Sequence, residues 1–229
     1  MSQERPPGSG PADQPDNPSP TQHQELQHSQ VSARVPEAVG PGVFSTGSIV
    51  MHGAHEFVID FLMSLAPPRR VAARIVLPPS VVPLLIGALN ENLNKYVQTF
   101  GNPPKLPSPP PGVTPPPISE VYDQLKISEE VMTGVYANTV MIVHSPAEFG
   151  FDFITSFYPK SAVACRVFLA APHVPQLLDS LSRSWEQFRS KQPGFSPPSP
   201  PVIMPRPPEP PPATGPAVGP ENPAGPTGG

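Results

Sequence analysis

The sequence predicts an α+β protein built from two tandem β-β-β-α modules. Each is an antiparallel meander covered by a C-terminal amphipathic helix, and the two pair as a pseudo-dimer between long disordered Pro-rich arms. Three observations carry this. Sliding the 229-residue chain by about 92 positions aligns Gly42–Tyr96 with Gly134–Phe188 without a gap, and roughly 17 of about 55 positions are identical. Within the second copy, Phe149, Phe151, Phe153 and Phe157 alternate with Glu148, Gly150, Asp152 and Ser156, the period of a strand. Each copy then changes to apolar spacings of three and four, the period of a helix.

The elements follow in chain order. GSIVMH and NTVMIVH are β-rich runs ending at His52 and His144, each followed by a short turn. HEFVIDFLMSL is ambiguous alone, and its partner EFGFDFITSF assigns it to a strand. VAARIVL and AVACRVFL make the third strand of each meander. Ser80 is the expected N-cap of the first helix, Pro83 and Pro172 fall where a missing N–H is tolerated, and Gly101 supplies the stop. Residues 118–133 read as a short helical lead-in to the second copy.

Most of the 41 prolines lie outside these modules. Together with 17 glycines they make about a quarter of the chain, the level of low-complexity disorder. The expected organisation is a disordered arm at 1–41, repeat 1 at 42–101, a Pro-rich linker at 102–117, the lead-in at 118–133, repeat 2 at 134–192 and a disordered arm at 193–229. The linker reads as a stiff polyproline II spacer.

A module of about 60 residues is marginally stable alone. The sheet face opposite the phenylalanines is half apolar, with Val58 and Leu62 beside Glu56 and Asp60, so something should cover it. Pairing of the two copies, by edge strands or by these faces, meets both needs and implies duplication and fusion of an ancestral homodimer.

Charged residues are only 14% of the chain and the formal charge is −4, which speaks against nucleic acid as a partner. No apolar run is long enough to span a membrane, and MSQERPPGSG has no secretory pattern; a soluble, cytoplasmic protein is expected. The single Cys165 excludes an internal disulfide and aligns with Ala73, so it reads as a small core residue.

His52, Glu56, Asp60 and Arg74 recur as His144, Glu148, Asp152 and Arg166. These repeated polar residues read as mainly structural. Asp60 with Arg74, and Asp152 with Arg166, stand on adjacent strands within direct or diagonal reach and fix register. No zinc set is complete, and no nucleophile–base pair or phosphate loop is present. The expectation is therefore no enzyme, no cofactor and no metal: an interaction or assembly module with a protein partner, in one version binding polypeptide at a sheet edge. The competing reading is a small-ligand or metal-dependent enzyme using His144, Glu148 and Asp152 in a cleft between the repeats.

The second copy resembles the bacterial and archaeal domain-of-unknown-function family 3467 at Tyr136, Ala137, Asn138, His144, Ser145, Pro146, Glu148, Phe149, Asp152, Phe153, Arg166, Pro172 and His173. Copy one keeps the later part of that pattern, including Arg74 and LNENLNKY, but has FST for Tyr-Ala-Asn and lacks the Ser-Pro turn. The resemblance implies the fold; the family's activity is unassigned.

Overall fold

The computed structural model describes residues 33–107, 112, 116–157, 160–192 and 194–195. The expectations for most of both terminal arms and for the middle of the Pro-rich linker fall outside the described residues. Copy one comprises strands β1 (Val43–Ser45), β2 (Ser48–His52), β3 (Phe57–Met63) and β4 (Arg70–Leu77), then helix α1 (Val82–Phe100). Two short helices, α2 (Ile118–Asp123) and α3 (Glu129–Met132), lead into copy two. There β5 (Val135–Tyr136), β6 (Thr139–His144), β7 (Glu148–Phe157) and β8 (Lys160–Ala170) precede α4 (Val174–Lys191).

Both meanders form as expected, β2-β3-β4 and β6-β7-β8, and each gains a fourth strand from the other copy. β1 lies parallel to β8, with Val43 opposite Val167, and β5 lies parallel to β4, with Val135 opposite Ile75. The chain thus starts each repeat in the other repeat's sheet and crosses over at a buried residue, Ser45 in one copy and Ala137 in the other. Of the two modes of pairing expected, edge-strand exchange is the one used, and the surfaces that meet are the phenylalanine faces. Phe61 sits 5.7 Å from Phe153 and 6.1 Å from Phe151, ring centre to ring centre. Phe57, Phe61, Phe149, Phe151 and Phe153 have no exposed surface. A shared core of this kind spares each module from having to cover its aromatic side alone.

The helices correct one expectation. The sequence predicts each as the lid of its own sheet, but its C-terminal half rests on the other copy. Tyr96 of α1 packs 5.2 Å from Phe149, and its hydroxyl donates to Pro146 O at 2.8 Å. Phe188 of α4 packs 5.3 Å from Phe57, with Trp185 at 6.1 Å. Periodicity identifies which stripe is buried and says nothing about whose sheet receives it.

Two smaller corrections concern local geometry. Ser80 does not cap α1: it lies inside a 3-10 turn, Pro79–Val81, in which Val81 N–H donates to Pro78 O at 3.0 Å. Such i→i+3 bonds satisfy amides that a side-chain cap would otherwise take. Phe157 was placed with the buried phenylalanines, yet it is 55% exposed, while Ile154, placed on the opposite face, is fully buried. The ladder also has a bulge at this point: it steps from Phe153–Cys165 to Ile154–Val163, leaving Ala164 unpaired and shifting the alternation of β8, so that Ile154 and Val163 are buried outside the shared core. Copy one has the same step between Phe61 and Leu62, with Ala72 as the extra residue.

The exchanged strands require glycine at their entries. Gly42 and Gly134 have φ of 65° and 73°. A Cβ on Gly42 would lie 2.7 Å from the Phe168 ring and 2.9 Å from Arg166 Cγ; on Gly134 it would lie 2.9 Å from Val76. Gly87, inside α1, has nothing within 4 Å of the same position. Gly42→Ala and Gly134→Ala are expected to lower stability to urea by about 1–3 kcal/mol each, through left-handed strain and crowding. Gly87→Ala should raise it by about 0.4–1 kcal/mol. Equal effects at all three positions in urea titrations would contradict this account of the crossings.

Candidate functional site

Asp60 and Arg74 are direct cross-strand neighbours on the outer face of the first sheet, and Asp152 and Arg166 are the same on the second. In each pair the guanidinium makes a two-pronged donation to the carboxylate. Arg74 Nε and Nη2 reach Asp60 Oδ1 and Oδ2 at 2.8 Å each; Arg166 Nε and Nη2 reach Asp152 Oδ1 and Oδ2 at 2.6 and 2.8 Å. The remaining nitrogen tethers the entering backbone: Arg74 Nη1 donates to Met132 O at 3.2 Å and Arg166 Nη1 to Gly40 O at 3.3 Å. The forks therefore hold the exchanged segments against the sheets they join, a planar multi-donor task that lysine could not perform.

The two pairs differ in cover. Asp60 is fully buried and accepts a further bond from the Tyr122 hydroxyl of α2, while the Asp152 side chain is 20% exposed. Burial first, and then the bond to Asp60, raise the Tyr122 phenol above its ordinary range, so it stays a donor at any physiological pH. The bonds from Asp60 and Asp152 likewise raise the Arg74 and Arg166 guanidinium groups, which remain charged. Tyr122 was not singled out in the sequence. Its signal is only positional, an aromatic residue in the lead-in to copy two.

The histidines lie on the inner side, beneath the other copy's helix. His52 Nδ1 is 3.3 Å from Gly53 O, and its ring lies between Phe57 and Phe188 at 5.4 and 5.8 Å. His144 Nδ1 is 3.3 Å from Asn92 Oδ1 of α1, and its ring packs on Phe149 at 5.3 Å and Tyr96 at 5.9 Å. Glu148 Oε1 accepts a bond from Ser145 Oγ at 2.7 Å within the β6–β7 turn, and the Glu56 carboxylate folds over Gly53 in the matching turn. His144 and Asp152 thus stand on opposite faces of one sheet, with Glu148 engaged at its end. The three do not converge on a cleft. Among the described residues no three His, Cys, Asp or Glu side chains are placed to hold a metal ion together.

The Cys165 thiol is pushed up to about 11 by burial and, secondarily, by the Asp152 charge, so it is protonated and a poor nucleophile at neutral pH. A hollow of about 280 Å³ beside His52, lined also by Gly53, Ala54, Phe188, Lys191 and Gln192, brings no pair of reactive groups together.

The unequal cover makes a prediction. Asp60→Ala removes the fully buried carboxylate that both the part-buried Arg74 guanidinium and the Tyr122 hydroxyl donate to, and should cost about 3–5 kcal/mol. Asp152→Ala leaves groups that water reaches and should cost no more than about 1–2 kcal/mol. Chemical denaturation of the two variants side by side checks this; a loss at Asp152 equal to or greater than that at Asp60 would refute it.

Comparison with known proteins agrees with the geometry. No curated protein matches the chain significantly. The profile of a family described as "Protein of unknown function (DUF3467)" matches residues 12–104 and again residues 109–192. The chain belongs to that family and carries two copies of its domain in tandem.

Proposed function

We propose that this chain is a non-enzymatic binding or assembly body that takes an extended polypeptide by strand addition. The observation that carries the reading is the longer edge strand at one end of each sheet. The exchanged strands β1 and β5 make short edges of three and two residues beside β8 and β4, and β6 and β2 form the opposite edges. Among the described residues the outward backbone groups of these two strands have no backbone partner. Sheet edges facing water usually carry lysine, proline or a bulge that blocks pairing, but β6 reads TVMIVH and β2 reads SIVMH, with none of these. An unguarded, β-branched edge of this kind is a template for a further strand.

The partner class this favours is protein. A chain with a net charge of −4 has no electrostatic pull on phosphates. We place the activity in the cytoplasm, where a thiol such as Cys165 stays reduced; no helix among the described residues is long and apolar enough to cross a membrane. The small-ligand or metal-dependent reading needs His144, Glu148 and Asp152 in one place, and their dispersal leaves it without a centre.

The direction of the edge amides gives the test. Ser145 N–H donates to Glu148 O at 2.9 Å at the hairpin end. Bonded and non-bonded pairs alternate along an antiparallel ladder, so the amides of Val140, Ile142 and His144 point away from β7. A reduced and carboxymethylated reporter polypeptide that cannot refold is expected to slow hydrogen exchange at these three amides by about tenfold or more. Absence of binding, or protection confined to the helices, would refute strand addition.

A further inference from the structure

The two outer sheet faces are equivalent by descent and unequal in cover. On the first sheet, α2 lies across the face: the Tyr122 hydroxyl reaches Met51 Sδ at 3.6 Å and the Asp60 carboxylate. The matching face of the second sheet has Val143 at 62%, Met141 at 47% and Phe44 at 39% exposed, beside the partly open Asp152. Val143, Gly150, Phe168 and Phe44 form one row across four strands, and Val143 and Phe168 flank the buried Gly150, so the apolar face is continuous. A patch of this kind on a monomer calls for an occupant.

The backbone leading into copy one retraces the backbone leading into copy two, at the same offset, as far back as the structure describes it. Arg34 bridges Ala162 as Lys126 bridges Arg70. Gly40 O accepts from Arg166 as Met132 O accepts from Arg74, and Gly42 turns as Gly134 does. The description stops at residue 33, at the border of the uncovered sheet, with residues 1–32 upstream. Carrying the offset on places Leu26 at Ile118 and Gln30 at Tyr122. The family match to copy one begins at residue 12 and to copy two at residue 109, so both include this lead-in.

We propose that the outer face of the second sheet is the docking surface of the chain's own residues 24–32. In the repeat Gln30 takes the position of Tyr122 and supplies an amide N–H donor of the kind the Asp152 carboxylate lacks from that side. Leu26 and Val31 are the apolar residues of an otherwise polar stretch, QELQHSQVS, available to shield Met141 and Val143. The edge of β6 stays open under this arrangement, as β2 does beneath Tyr122, so the proposal stands or falls separately from strand addition.

Cross-linking in the full chain tests it. In a Cys165→Ala background, Gln30→Cys is combined with Val143→Cys, or with Gln187→Cys on the exposed side of α4 as a control, and treated with a short bismaleimide. The 30–143 pair is expected to link within one chain about tenfold faster than the 30–187 pair, because docking raises the effective concentration. Equal rates would overturn the proposal, as would a 30–143 link formed mainly between chains, which would make a second copy the occupant. Gln30→Glu, which sets a second carboxylate against Asp152, should speed exchange at the Val143 and Gly150 amides several-fold; unchanged exchange there would also overturn it.

Discussion

Five phenylalanines, Phe57, Phe61, Phe149, Phe151 and Phe153, have no exposed surface, and no single module could have hidden its share. A three-stranded meander with one aromatic face needs a second layer, and one amphipathic helix covers only part of it. The chain supplies that layer by setting the two aromatic faces against each other. Once the faces meet, strand exchange follows at low cost, because each repeat's first residues already lie beside the other repeat's third strand. The helices close what remains from the outside, Tyr96 over Phe149 and Phe188 over Phe57. The core is therefore one object made by two copies.

The charged residues serve that arrangement. Each arginine holds its aspartate with two prongs and the entering backbone with the third, so one side chain couples sheet register to strand exchange. Such a pair contributes less to net stability than to uniqueness, since taking the charges out of water offsets much of their attraction. The copies have diverged where the lead-in crosses the outer face. Tyr122 seals Asp60, whereas Asp152 keeps some contact with water.

Gapless repetition and the two periodicities made the meanders, the long helices and the aspartate–arginine pairs legible in the sequence. What could not be read there is a matter of partners. Val43–Ser45 and Val135–Tyr136 are too short to show a period, and they are strands only because β8 and β4 offer them edges. The Leu and aromatic stripe of each helix is the same whether it meets its own sheet or the other. The alternation Phe149 to Phe157 gives no sign of the bulge at Ala164, which lies on the neighbouring strand. Tyr122 and Asn92 became site residues through contacts 62 and 52 residues away in sequence. The candidate triad of His144, Glu148 and Asp152 failed for a geometric reason that spacing does not reveal: the histidine and the aspartate point to opposite faces of the sheet.

The central claim is that neither repeat is a complete folding unit. Expressing residues 1–112 and 113–229 as separate chains tests it most directly. Neither half should show a cooperative unfolding transition as a monomer, and mixing them should restore a one-to-one complex with the near-ultraviolet signature of packed aromatic side chains. A half that folds cooperatively as a monomer, with its own phenylalanines buried, would contradict the account.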